Sequence, residues 1–175
     1  MIKRIVILGS TGSIGKTLIK VLEKEKTKIK ILLLSANNNY KELLRQVKIF
    51  NVRNIIITNK ASFQIVKKIL KNKKVEVFND FSSFEKIFNV KKVDYTMSAI
   101  SGLEGLKPTL DIIKFTKNIA IANKESIICG WPLILKNLQK YKSNFIPVDS
   151  EHFSILSLID GDNSGIEKIF ITASG

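Results

Sequence analysis

Residues 7–22 read ILGSTGSIGKTLIKVL, and the order of chemistry in that stretch decides what the chain can fold into. A short apolar run that opens at Ile5 closes here, three glycines follow at positions 9, 12 and 15, and apolar residues then recur at helical spacing. Glycine at a strand-to-helix turn permits a tight reversal and close backbone approach, while the first-turn amides and the positive end of the helix favour an anion. The spacing is G-x-x-G-x-x-G, a variant of the dinucleotide fingerprint. A strand before it and a helix after it give it weight that three glycines alone would lack. Gly9 at the turn, then Thr11, Gly12, Ser13 and Ile14, form the expected phosphate cradle.

Outward from that loop the same alternation continues. Short apolar runs at 5–8, 29–34, 54–57, 75–78, 95–98, 119–122 and 145–148 suit strands covered on both faces. Between them, residues 16–26, 40–50, 62–70, 82–88, 106–116 and 132–141 place apolar side chains at helical spacing. Pro108, Pro132 and Pro147 fall near the expected element ends, and there is no repeat or low-complexity linker. The pattern predicts an α/β domain over residues 1–145 with a doubly wound, mostly parallel, Rossmann-like sheet. If 145–148 is a strand, period-two geometry puts Asp149 and Glu151 on one face, in a chelating arrangement.

Composition bounds the function. With 175 residues, 45% of them apolar, the chain can bury roughly two thirds of its unfolded surface. No apolar run approaches the roughly 20 residues that span a bilayer, and no signal-like leader follows Met1, so a soluble cytoplasmic protein is expected. One cysteine excludes an internal disulfide framework and a Cys-rich metal site, which leaves oxygen ligands or the lone His152 for any metal. The net charge of +14 is spread over nearly every segment without an aromatic-and-basic motif, so the lysines read as solvated faces rather than a nucleic-acid surface.

The end of the second strand bears on the cofactor. NAD enzymes usually place an acid about 20 residues beyond the glycines to hold the ribose diol. From Lys26 through Lys41 there is none; the strand ends in neutral Ser35 and Asn37 to Asn39, with Lys41 nearby. A 2′-phosphate would be tolerated there, which points to NADPH. The plainer alternative is that the asparagines form a turn. Farther on, Asn123, Lys124 and Glu125 follow an apolar run, where residues just past a strand end line the ligand crevice, or where an asparagine simply caps a helix.

LGSTGSIG, ANKES and PVDSEH occur in this order, followed by a terminal TASG. Together they closely resemble the 1-deoxy-D-xylulose 5-phosphate reductoisomerases. The resemblance implies NADPH-dependent, divalent-metal-dependent isomerisation and reduction of 1-deoxy-D-xylulose 5-phosphate to 2-C-methyl-D-erythritol 4-phosphate, an isoprenoid precursor step. It implies Asp149 and Glu151 as metal ligands, and hard carboxylate oxygens suit Mg²⁺ or Mn²⁺. It makes Thr11, Gly12, Ser13, Ile14, Asn39, Asn123 and Glu125 cofactor contacts. Lys124, Ser150, Glu151 and Ser174 become substrate contacts, with Lys124 and Glu151 in the catalytic roles. The implied partner is a small phosphorylated sugar, without nucleic acid or membrane, and the intact enzyme is expected to be a homodimer. Residues 146–175 would open an α+β catalytic domain.

Two departures from the family stand out. Asn37 to Asn39 occupy the place of a Gly-Lys-Asn-like turn, which removes a positive partner for the 2′-phosphate. The family also extends beyond residue 175 with a third metal-ligand glutamate and a lid, so the 175 residues by themselves are expected to be inactive. His152 reads as a helix-start residue and Trp131 as packing. Two rivals remain: another NADP-dependent oxidoreductase, which would want a catalytic cysteine or a Tyr-x-x-x-Lys pair, and a non-catalytic dinucleotide- or nucleic-acid-binding module. Cys129 has no nearby histidine, and the residues after Tyr141 do not supply the second pattern.

Overall fold

The computed structural model describes residues 2–88, 93–148, 150–159, 167–168 and 170. Its strands are β1 (Lys3–Leu8), β2 (Ile29–Ala36), β3 (Asn54–Ile57), β4 (Glu76–Phe78), β5 (Val93–Ser98), β6 (Thr116–Ile121) and β7 (Asn144–Ile146). They form one seven-stranded sheet in the order β4-β3-β2-β1-β5-β6-β7, and every neighbouring pair is parallel. The chain runs outward from β1 to β4 on one side, then crosses back to β5 on the other. The expected doubly wound sheet is therefore present, and it is wholly rather than mostly parallel.

Why continuous apolar runs became strands follows from the layers. Along β1, Ile5 and Ile7 enter one core with Ile19, Leu43, Val47 and Val66, which come from α1 (Ser13–Glu23), α2 (Tyr40–Phe50) and α3 (Lys60–Ile69). Val6 and Leu8 enter the opposite core with Phe84, Ile112, Ile113, Ile134 and Leu138. Those come from α4 (Phe84–Ile87), α5 (Leu106–Ile113) and α6 (Lys124–Tyr141). Alternate residues feed opposite layers, so neither parity can be polar. Full burial of one such side chain contributes about 1.5–3 kcal/mol, and Val6, Ile7 and Leu8 are all fully buried.

Several boundaries differ from the sequence reading. The segment expected as a helix from residue 132 is the second half of α6, which starts eight residues earlier at Lys124 and carries Pro132 inside it. Proline has no N–H for the Ile128 carbonyl, and the helix tolerates this on a face where Ile128 is 80% exposed. Gly130 lies on the opposite, buried side, where an added Cβ would stand 2.3 Å from Leu106 Cδ1, so glycine sets how closely α6 approaches α5. The expected helix 106–116 stops at Ile113, because Thr116 already starts β6.

The expected strand 145–148 is β7, which ends at Ile146; α7 (Ser150–Ile159) begins four residues later. Glu151 therefore sits in a helix, and the period-two argument that set it on one strand face with Asp149 does not hold. Asp149, Ser174 and Gly175 lie outside the described residues, as do the side chains of Ser150, Glu151 and His152. Trp131 packs edge-on against Phe145, with ring centroids 5.3 Å apart.

Candidate functional site

At the carboxyl ends of the strands, where the order reverses between β1 and β5, a cavity of about 310 Å³ opens. Its walls include Gly9, Thr11 and Gly12 from the loop after β1, Ser35 and Ala36 at the end of β2 with Asn37 after it, Thr58 after β3, and Ala99, Ile100, Ser101 and Glu104 after β5. Such a switch point is where ligands sit in open parallel sheets, because the loops diverge and leave a crevice.

The glycine loop is shaped for that position. Gly9 has φ +76°, and a Cβ there would lie 2.5 Å from the Ala99 carbonyl oxygen, so both conformation and space demand glycine. A Cβ on Gly15 would meet Gly9 O at 2.4 Å; this glycine lets α1 lie directly on the turn. Gly12 is different. It adopts ordinary extended backbone as the N-cap of α1, and its Cβ would make only loose contacts, 3.4 Å from Gly9 O and 3.9 Å from Ala99 O. The protein's own packing does not require glycine here. No side chain caps α1 and no acid sits in its first turn, so the first amides and the helix dipole are left to an outside anion.

The loop is held from the β2 side. Gly9 N–H donates to Ser35 Oγ at 2.9 Å, while Ser10 N–H and Ser10 Oγ donate to the Ser35 carbonyl at 2.9 and 3.3 Å. Ser35 thus lines the cavity with its side-chain oxygen already engaged by the glycine turn. The three asparagines are exposed, and each is engaged. Asn37 Oδ1 accepts from Thr58 Oγ1 at 3.3 Å, the Asn38 carbonyl accepts from Ser62 Oγ at 3.1 Å, and Asn39 Oδ1 caps α2 by accepting from Glu42 N–H at 3.3 Å. Asn37, not Asn39, lines the cavity. No acid lies along residues 26–41, and the first is Glu42, whose carboxylate accepts from Arg45 Nε and Nη2, each at 2.9 Å. Those bonds hold the Glu42 carboxyl below its usual range, against burial, which pushes it up.

Asn123 is nearly fully buried at the N-cap of α6. Its Nδ2 donates to the carbonyls of Ile100 and Gly102, and its Oδ1 accepts from Ser126 N–H at 2.9 Å. Both amide hydrogens are consumed in tying the loop after β5 to the start of α6; one Oδ1 lone pair remains. The cap alternative is met at this residue, which braces the loop after β5 but is not among the residues lining the cavity. Lys124 and Glu125 follow in the exposed first turn, and Ser13 and Ile14 are exposed at the start of α1. Sequence reasoning missed the β5 loop, residues 99–104. Its only signal was the Ser101-Gly102 pair just past a strand end, and placing it beside the glycine loop requires the strand order. Among the described residues no group of three His, Cys, Asp or Glu could hold a metal ion, and no helix is long and apolar enough to cross a membrane.

An all-parallel doubly wound sheet with a glycine turn and an uncapped helix at its switch point defines a Rossmann-like α/β domain. A sequence profile of 1-deoxy-D-xylulose 5-phosphate reductoisomerase matches residues 5–130, and the chain belongs to that family. The 1-deoxy-D-xylulose 5-phosphate reductoisomerase of Pelagibacter ubique strain HTCC1062 is 63% identical over 175 residues, which are 99% of this chain and 45% of that protein. The enzyme from Zymomonas mobilis, solved in complex with NADPH, superposes with a TM-score of 0.79 at 31% identity over 87% of this chain and 40% of its own. A further reductoisomerase structure, in complex with NADPH, fosmidomycin and magnesium, gives 0.78 at 25% identity over 86% and 37%. The chain thus spans a little under half the length of the curated relatives it matches.

Proposed function

We propose that this chain supplies the NADPH-binding half of a 1-deoxy-D-xylulose 5-phosphate reductoisomerase. The observation that carries the reading is the glycine at position 12, which internal packing does not require, at the uncapped N-terminus of α1. Those features fit a pyrophosphate: the amides of Ser13 and Ile14 and the helix dipole supply positive potential, and the absent Cβ leaves room. Asn37 and Asn39 flank an acid-free strand end that accepts a 2′-phosphate without repulsion. When bound, NADPH supplies the hydride that reduces the rearranged carbon skeleton. The chain's own residues bind and orient: the loop after β5, braced by Asn123, forms the far wall, and Lys124 and Glu125 at the start of α6 serve the cofactor and substrate.

In the same reading residues 1–145 are the cofactor domain, and residues 146–175 open the metal- and substrate-binding domain. Asp149 and Glu151 hold Mg²⁺, for which hard carboxylate oxygens are the right donors. Ser150, Lys124 and Ser174 contact the phosphorylated sugar, and Lys124 adds positive charge beside its oxygens. The product is 2-C-methyl-D-erythritol 4-phosphate, for isoprenoid precursors, made by a cytoplasmic homodimer that needs no nucleic acid or membrane.

Calorimetric titration with NADPH and, separately, NADH, with and without Mg²⁺, tests this. Saturable binding that favours NADPH is expected. A folded chain that binds neither overturns the reading and moves the non-catalytic module ahead.

A further inference from the structure

The glycine loop is also held from behind, by α2. Gln46 is fully buried, and its Nε2 donates to the Ser10 carbonyl at 3.0 Å and to Glu42 Oε1 at 2.9 Å. Both partners are acceptors, which sets the orientation of the amide: reversed, it would press Oε1 against two oxygens. Gln46 Oε1 itself has no hydrogen-bond partner among the described residues. A buried unpartnered oxygen is a cost that an apolar side chain of similar shape would avoid. That cost offsets part of what the bond to the buried Ser10 carbonyl contributes; what the amide supplies besides is direction.

That direction reaches the loop. The Ser10 carbonyl and the Thr11 N–H share one trans peptide plane and point oppositely, so pinning the carbonyl onto α2 also sets the bearing of the Thr11 N–H. Thr11 lines the cavity. On the strand side the Ser35 clamp fixes Gly9 and Ser10, and on the helix side, among the described residues, Gln46 alone donates to the Ser10 carbonyl. The same helix is capped by Asn39, and Glu42, whose N–H that cap receives, accepts from Gln46 through its carboxylate. One hydrogen-bonded path thus joins the acid-free end of β2 to the glycine turn.

We propose that Gln46 is a positioning residue for the phosphate-cradling loop, locking the Ser10–Thr11 peptide to the helix that carries the Asn39 cap. The inference rests on the NADPH reading of the cavity. It is tested with Gln46→Met, which keeps bulk and removes the donor, and Gln46→Glu, which can donate to Ser10 only when protonated. Groups facing position 46 are Glu42 and Arg45 on α2, Lys16 of α1, which acts on Glu42, and Glu23, which pairs with Arg45. Of these only the Glu42 carboxylate is bonded to position 46, and in Gln46→Glu it opposes a second carboxylate, which raises the pH at which position 46 takes up its proton.

Gln46→Met, which leaves the buried Ser10 carbonyl without this donor, is expected to melt somewhat below the wild type and to bind NADPH about tenfold more weakly, the loss of one oriented hydrogen bond. Amide exchange at Thr11 in that variant without ligand should be faster, with β1 protection unchanged. Gln46→Glu should bind weakly at about pH 8 and recover relative to Gln46→Met as pH falls to about 5.5, where a buried carboxyl is protonated. Binding by Gln46→Met within twofold of wild type overturns the inference, as does a Gln46→Glu profile that parallels that of Gln46→Met. Should Gln46→Met not fold, the recovery of Gln46→Glu relative to the wild type over the same pH range decides. A wild-type chain that fails to bind NADPH overturns the cavity reading itself; wild-type binding with unchanged variants overturns only the role of Gln46.

Discussion

The two ends of β1, β5 and β6 handle polar groups differently. At the amino ends Asp94 accepts from Arg4 N–H and Nε at 2.9 and 3.2 Å and from Lys117 Nζ at 2.9 Å, and its carbonyl accepts from Asn118 Nδ2. One carboxylate there staples three strands, and Arg4, by its side chain and its backbone N–H, holds that carboxyl far below the usual carboxylate range. At the carboxyl ends the loops brace one another through Ser35, Gln46 and Asn123, while the first turn of α1 is left without a cap. One end is closed for stability; the other is stiffened around a set of donors kept open. Stiffness without self-satisfaction is what a preorganised anion site requires, since the ligand then need not order the loop.

Gly9→Ala tests the stiff end most severely. It forces a side chain into positive φ and against the Ala99 carbonyl, and should cost about 3 kcal/mol or more in chemical denaturation. Asp94→Asn breaks the stapled end and should lower neutral-pH stability by about 2 kcal/mol. It should also flatten the acid limb: a carboxyl depressed in the folded state contributes stability that is present above its unfolded value of about 4 and lost as pH falls below it. The gap in denaturation midpoint between wild type and variant should therefore hold from pH 7 to about pH 4 and narrow progressively below that. Ser35→Ala, which strips Gly9 N–H of its acceptor, should cost about 1–2 kcal/mol and weaken NADPH binding with it. Gly12→Ala should be the mildest for stability, about 0.5–1 kcal/mol as a poorer N-cap, yet should reduce NADPH affinity at least about tenfold if a pyrophosphate approaches this backbone. Equal losses of stability and binding across all four would erase the distinction between the two ends.

Much of this was legible before any coordinates. Ile5 to Leu8, with no polar parity, already indicated a strand buried on both faces, and Gly9, Gly12 and Gly15 after it indicated an anion-binding turn, because steric and electrostatic requirements at such a turn are local. At ANKES the helix start was legible only as the alternative in which Asn123 caps a helix, and Pro132 suggested a boundary that the long helix α6 overrides, since Pro132 faces solvent where a lost hydrogen bond is cheap. Asp149 and Glu151 were read with strand geometry, whereas the chain turns into α7 at Ser150.

What the sequence determined by itself is whatever depends on neighbours along the chain: the alternation of strand and helix, the glycine turn, the acid-free end of β2 and, through ordered motifs, the family. What only the tertiary structure decided is whatever depends on strands brought together from afar. The order β4-β3-β2-β1-β5-β6-β7 places residues 99–104 across from the glycines. It sets Gln46 against a carbonyl 36 positions earlier and Asp94 against Arg4, 90 positions away. Periodicity reports which face of an element is buried, but not which element covers it, and the partners of a buried polar group are chosen by that second fact.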